Sequence, residues 1–212
     1  MMIIREILPC PNSKQRSRIC LDDGTGFILY QKEIYHYDLK EGQELSREIY
    51  QKILQEIMIP RARKKAMHLL EQMDRSKAEL SNRLKEAGYL PEAIENAISY
   101  VESFHYIDDE RYARNYIRYH QEAKSRRRLN QDLKKKGISD EIIRLAMEEE
   151  NQTDPKDQIR KLLEQKHYDL IDPDGRICRK EEARACRFLA SRGFETGDIL
   201  DVIHRFQEEN FQ

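Results

Sequence analysis

"LSNRLKEAGY" (80–89), "LNQDLKKKGI" (129–138) and "ACRFLASRGF" (185–194) superpose without a gap, and how they are read decides the fold. Their glycines, Gly88, Gly137 and Gly193, lie 49 and 56 residues apart, and the same offsets relate Leu84, Leu133 and Leu189. They also relate Ile94, Ile143 and Ile199, then Ile98, Met147 and Ile203, so the register holds across two helical patterns and the turn between them. Self-similarity at such a period is the signature of an array of small supersecondary units.

Each unit has a local physical logic. Leu80/Leu84 and Leu129/Leu133 are four apart and share one helix face. The glycine four residues later suits the left-handed position that ends a helix, letting Tyr89, Ile138 and Phe194 fold back onto Leu84, Leu133 and Leu189. Upstream, "SKAE" (76–79) has the form of a capping box, and Ser125 is the N-cap candidate of the second copy. Downstream, Ile94, Ala97, Ile98 and Val101 make a core stripe matched by Ile143, Ala146 and Met147, and by Ile199, Val202 and Ile203. A further helix precedes each pair, with apolar faces Ala66/Leu69/Leu70/Met73, Ala113/Tyr116/Ile117 and Ile159/Leu162/Leu163.

These patterns predict a mainly α chain of three tandem three-helix repeats at 61–103, 104–152 and 153–212. Units this small bury little area alone, so they are expected to stack in an elongated array. The third carries an inserted loop, "DLIDPDGRICRK" (169–180), marked by Asp-Pro and Asp-Gly pairs. Residues 1–45 read as a small β region: "SRICLDDGTGFILY" places Asp23-Gly24 between two strand-like runs, a β-hairpin, with "IIREIL" as a third strand. A connecting helix over 46–60 starts at Ser46 and is expected to stop near Pro60.

The chain has 212 residues, 36% charged, with 38 basic and 39 acidic side chains and no Trp. That composition fits a helix-rich soluble protein with a thin core. No run of roughly 18 apolar residues occurs, and "MMIIREILPC" lacks a basic region ahead of an apolar core, so a cytoplasmic protein with no membrane partner is expected. Cys10, Cys20, Cys178 and Cys186 form no CxxC pair, and the six histidines show no paired-ligand spacing, so reduced structural thiols and no metal site are expected. GxxxxGK[ST], GxSxG and GxGxxG are all absent, and the expectation is a non-enzyme without catalytic residues or cofactor.

Charge becomes informative by segment. Residues 111–136 hold 10 basic and 2 acidic side chains, whereas 137–157 hold 2 and 7. On a helical wheel Tyr112, Tyr116 and Tyr119 adjoin Ala113, Ile117 and His120, which favours packing, while Arg111, Arg114 and Arg118 fall on the opposite side. On the next helix Leu129 and Leu133 define the buried side, leaving Arg127, Gln131, Lys134 and Lys135 outward and Arg128 at the edge, with Lys124 and Arg126 at the entrance. A like-charge array costs a few tenths of a kcal/mol per i,i+4 pair, so it calls for a polyanionic or acidic partner. Asp108, Asp109 and Glu110 could suggest a metal nuclease, but they stand where acids stabilise a helix N-terminus, with Asp108 as the cap.

"YIDDERYARNYI" followed by "RRRLNQDLKKKGISDEII" resembles the signature of the RecX family, bacterial regulatory proteins that modulate the RecA recombinase. "RFLASRGFETGDILDVI" is similar to the family's C-terminal pattern and "LKEGQELSREIYQKIL" to its N-terminal region, so the resemblance covers almost the whole chain. Members commonly have Gly-Pro ahead of the basic helix, where this chain has Lys124-Ser125-Arg126, and the third-repeat loop is unusually long. The resemblance implies a non-enzymatic modulator that binds along the groove of the RecA–DNA filament and usually restrains recombination, ATP hydrolysis and repressor cleavage; separately, the lack of a long coiled-coil heptad leads to the expectation of a monomer. Arg111, Arg114, Arg118, Lys124, Arg126, Arg127, Arg128, Lys134 and Lys135 are then the expected contacts to RecA and DNA. A general nucleic-acid-binding repeat protein would use the same side chains; it would lose affinity steeply with salt and need no other protein.

Overall fold

The computed structural model describes residues 2–11, 13–150, 153–171 and 176–209. It divides into two units, Met1–Asp108 and Asp109–Gln212.

In the first unit the Asp23-Gly24 pair does what a tight hairpin requires. Gly24 takes φ +83°, the Leu21 amide donates to the Thr25 carbonyl at 2.9 Å, and the Asp23 carboxylate accepts from the Thr25 amide (2.8 Å) and hydroxyl (2.6 Å). This joins β2 (Ser13–Leu21) to β3 (Gly26–Tyr30). The third strand, β1 (Met2–Cys10), pairs antiparallel with β2, and a two-residue β4 (Glu44–Leu45) completes a sheet of order β3-β2-β1-β4. Ile4, Ile19, Leu21, Phe27 and Leu29 are buried on its inner face. A short helix, α1 (Gln31–His36), follows β3; its Glu33 accepts from the Tyr30 amide and pairs with Arg61.

Ser46 caps α2 (Arg47–Lys52), accepting from the Ile49 amide at 3.3 Å. The helix does not stop at Pro60. It runs through a π-helical turn, Ile53–Met58, directly into α3 (Ile59–Gln72), with Pro60 in the first turn of α3. Proline breaks a helix because its ring meets the carbonyl four residues back and its N–H is missing. Here the wider turn just before it, seen in the bond from the Ile59 amide to the Leu54 carbonyl, relaxes both constraints.

The first repeat comprises α3, α4 (Lys77–Glu86) and α5 (Pro91–Ser103). Its capping box is formed: the Glu79 amide donates to Ser76 Oγ at 3.1 Å and the Ser76 amide to Glu79 at 3.3 Å. The helix ends as expected, with Gly88 at φ +82°, its amide on the Lys85 carbonyl and the Tyr89 amide on the Leu84 carbonyl, the paired bonds of a Schellman ending. Met73, placed on the core face by the wheel, lies beyond the end of α3 and is 58% exposed. The sheet has no core of its own: one cluster runs from Ile4 and Phe27 through Leu80, Leu84 and Ala93 to Ile107.

The second unit holds α6 (Asp109–His120), α7 (Arg126–Lys135) and α8 (Asp140–Glu150), then α9 (Pro155–Lys166), α10 (Arg179–Ser191) and α11 (Thr196–Glu209). Each trio has its own core: Ala113, Ile117, Leu129, Leu133 and Ile143 in one, Ile159, Leu163, Leu189, Phe194 and Ile203 in the other. Gly137 and Gly193 take φ +78° and +88° and make the same paired bonds as Gly88. The third-repeat loop is pinched by an Ile171–Ile177 bridge; its Asp172-Pro173 and Asp174-Gly175 pairs lie outside the described residues. The two trios meet through polar contacts, the Ser125 amide on the Arg192 carbonyl at 3.0 Å and Gln158 Nε2 on the Gln121 carbonyl at 3.1 Å. No helix of the described residues is long and apolar enough to cross a membrane.

Candidate functional site

Burying Ala113 and Ile117 against Leu129, Leu133 and Ile143 fixes which faces of α6 and α7 look outward. α6 starts at Asp109, which leaves Asp108 in the N-cap position. Tyr112 and Tyr116 pack at the edge of this core with their rings stacked, centroids 6.4 Å apart. Tyr119 departs from the wheel reading: it is 81% exposed, because at 100° per residue it points about 140° away from the mean direction of the buried Ala113 and Ile117.

The nine basic positions separate into two groups once their partners are known. On α6, Arg114 pairs with Glu149 at 3.5 Å, and Arg118 forms a two-pronged pair with Glu150 at 3.1 and 2.5 Å. That hydrogen bond holds the Glu150 carboxyl below the usual carboxylate range. Arg111 is exposed. At the entrance of α7 the Lys124 ammonium donates to Tyr116 Oη and to Asp132, both at 2.8 Å, and Tyr116 donates to the same carboxylate at 3.2 Å. Arg128 reaches the other Asp132 oxygen at 3.2 Å. Burial pushes the Asp132 carboxyl up, yet the Lys124 hydrogen bond and charge, with Arg128, outweigh it and hold the group below its ordinary value. Lys124 and Arg128 are thus occupied inside the repeat. Asp132, one of the two acids within the basic block, is the residue the sequence reading passed over; its spacing of four from Arg128 was the available signal.

Arg126, Arg127, Lys134 and Lys135 remain on the exposed face of α7. Lys134 has Asp140 at 2.6 Å, while Arg126, Arg127 and Lys135 make no ion pair with a described residue. Ser125 fixes the start of this face, accepting from the Arg128 amide at 3.2 Å. Gly193 packs against it so tightly that a Cβ there would stand 2.6 Å from Ser125 Oγ and 2.7 Å from Arg128 Cβ. Between α7 and the α10–α11 turn lies a cleft of about 710 Å³, with Arg126, Arg127 and Lys134 on one wall and Glu195 and Asp198 on the other. Such a surface can bind an extended anion along the α7 wall and steer its approach. Among the described residues no three His, Cys, Asp or Glu side chains are grouped to hold a metal.

Comparison with known proteins follows the repeats closely. The family models described as RecX, first three-helix domain, and RecX, second three-helix domain, match residues 62–100 and 108–147. The regulatory protein RecX of Vibrio campbellii is 34% identical over 146 residues, 68% of this chain and 90% of that protein. That of Clostridium perfringens is 22% identical over 196 residues, 92% of each chain. A crystal structure of regulatory protein RecX superposes with a TM-score of 0.55 at 23% identity, over 95% of this chain and 100% of that one.

Proposed function

This chain belongs to the RecX family of regulatory proteins, and on that premise we propose that it binds the RecA–DNA filament and inhibits its recombinase, ATPase and coprotease activities without catalysing a reaction itself. The observation that carries this reading is the outer face of α7, where Arg126, Arg127 and Lys135 stand exposed and pair with no acid among the described residues. A filament groove lined by DNA phosphates and acidic protein surface supplies the missing charge, with Arg111 and Lys134 alongside. Lys124 and Arg128 act indirectly, by holding the start of α7 through Asp132. Arg114 and Arg118 come into play only by exchanging Glu149 and Glu150 for a partner's anions. Repeated weak contacts along successive subunits add through effective concentration.

The test is the ATPase rate of the host RecA on single-stranded DNA, titrated with this protein and with the variant Arg126→Ala, Arg127→Ala, Lys134→Ala. Inhibition well below RecA stoichiometry is expected, with the variant needing on the order of tenfold more protein, a loss of about 1.4 kcal/mol. Absence of any effect on RecA, beside salt-sensitive binding to bare DNA, would overturn the reading in favour of a general nucleic-acid-binding protein.

A further inference from the structure

The 56-residue offset that superposes the turns of the second and third repeats also superposes charge. Lys124, Arg128 and Lys136 map onto Lys180, Arg184 and Arg192, but Asp132 maps onto Phe188. In the second repeat the carboxylate gathers its cations into an internal network. In the third repeat an aromatic ring stands in its place. The Arg192 guanidinium lies 3.7 Å from the Phe188 ring centroid and the Lys166 ammonium 5.8 Å from the same ring. Tyr168 meets Phe188 edge-on at 6.0 Å, and Arg184 sits 5.7 Å from the Tyr168 ring.

A ring holds a cation without neutralising it. Stacking fixes the guanidinium plane and lowers the entropy lost on binding, while the N–H fork at its edge stays free for an incoming oxyanion. Glu181 offers Arg184 a pair at 3.6 Å, but the Arg184 side chain is 67% exposed, so this contact is readily exchanged. Residues 176–192 hold 6 basic and 2 acidic side chains, an excess that the charge count over the whole repeat conceals.

We propose that Lys166, Arg184 and Arg192, ordered on Phe188 and Tyr168, form a phosphate-binding surface that takes the backbone of single-stranded nucleic acid without help from any protein. Arg184 lies within α10 and Arg192 is the residue that caps its C-terminal end, eight positions and about 12 Å further along the axis, so they reach separate phosphates of one strand. The partly exposed rings beside them offer what a single strand uses and an acidic peptide does not, a face on which bases stack. The surface adjoins the start of α7, since the Arg192 carbonyl accepts from the Ser125 amide. It goes beyond the filament reading, because no recombinase is required.

Binding of a fluorescein-labelled oligothymidylate to the full chain, followed by anisotropy across a salt series with no recombinase present, tests the proposal. Arg184→Gln with Arg192→Gln is expected to make the slope of log K against log salt shallower by about 1.4, two contacts at about 0.7 each, and to weaken binding on the order of tenfold at 0.1 M salt. Phe188→Asp, which gives the third repeat the carboxylate of the second, is expected to cause the same loss; circular dichroism establishes that it folds. Arg184→Lys with Arg192→Lys keeps the charges and should retain the slope. An unchanged slope and affinity in the double Gln variant would overturn the proposal. So would wild-type binding of polyglutamate that the double Gln variant loses while its oligothymidylate binding persists, since the partner would then be an acidic polypeptide. A negative ATPase result leaves this surface standing, and the reverse also holds.

Discussion

The Gly88 turn lies against a β-strand and the Gly193 turn against the start of a helix, although their backbones are alike. At the first, the Ile28 amide of β3 donates to the Gly88 carbonyl at 3.1 Å, and the Ile28 side chain fills the space a Cβ would need. At the second, the Ser125 amide donates to the Arg192 carbonyl one residue before the glycine, and Ser125 and Arg128 fill that space. A Schellman ending leaves a flat piece of backbone with a carbonyl available and no side chain in the way. It therefore accepts whichever N–H donor the neighbouring element supplies. The first repeat shares its core with the sheet, whereas the third keeps its apolar residues in a cluster of its own and meets the second repeat at this turn.

The comparison breaks most visibly on filling the turns. Gly193→Ala combines a left-handed penalty of about 1 kcal/mol with overpacking of about 1–3 kcal/mol, because Arg128 Cβ and Ser125 Oγ sit close to the backbone and cannot swing away. A loss of about 2–4 kcal/mol in urea unfolding is expected. In Gly88→Ala the new Cβ would overlap Ile28 Cδ1 and stand 2.5 Å from its Cγ1, on a β-branched side chain with little rotamer freedom, and a comparable loss of about 2–4 kcal/mol is expected; a loss below about 1 kcal/mol at either turn would show that its neighbouring element gives way.

Asp132→Asn sharpens the same contrast by loosening the start of α7 without touching the glycine. Removing a charged acceptor shared by Lys124, Tyr116 and Arg128 should cost about 2 kcal/mol. Since the Asp132 carboxyl is held below its ordinary value, its contribution is complete above about pH 4 and disappears as pH falls through the folded-state value. The variant's stability should consequently decline less over that acid range than the wild type's. Ser125→Ala deletes only the cap bond, at about 1 kcal/mol, and relieves part of the crowding at Gly193; Gly193→Ala should then be milder in its presence.

The smallest effect is expected away from both turns. Glu150→Gln releases Arg118 and leaves the unfolding midpoint where it was. If Arg118 becomes available to a polyanion, the salt slope for single-stranded DNA steepens by about 0.7; no change would place Arg118 outside the binding surface.

Helices, caps and glycine turns were legible because each depends on residues within about one turn of one another. Leu80 and Leu84, Ser76 and Glu79, or Gly88 and Tyr89 carry their instruction locally. Pro60 was misread because a π-helical turn compensates for it, and such a turn has no strong residue signature. Met73 was misplaced because a wheel continues past the point where the helix ends, and Tyr119 because, of the three tyrosines, it stands farthest round the wheel from Ala113 and Ile117. The basic block was visible as composition, but its division was not: whether Lys124 is free or engaged depends on Asp132 and Tyr116, eight residues away in either direction.

By itself the sequence determined the three-helix repeat, its caps, its left-handed glycine endings, the hairpin and the concentration of positive charge in the second repeat, all matters of short-range sterics and hydrophobic period. Tertiary structure alone decided that the sheet shares its core with the first repeat, that Gly193 is closed against Ser125, and which arginines of the basic block are paired within the second repeat. Those outcomes depend on which side chains from distant segments arrive at the same place, and a carboxylate or a ring arriving beside an arginine changes what that arginine can bind.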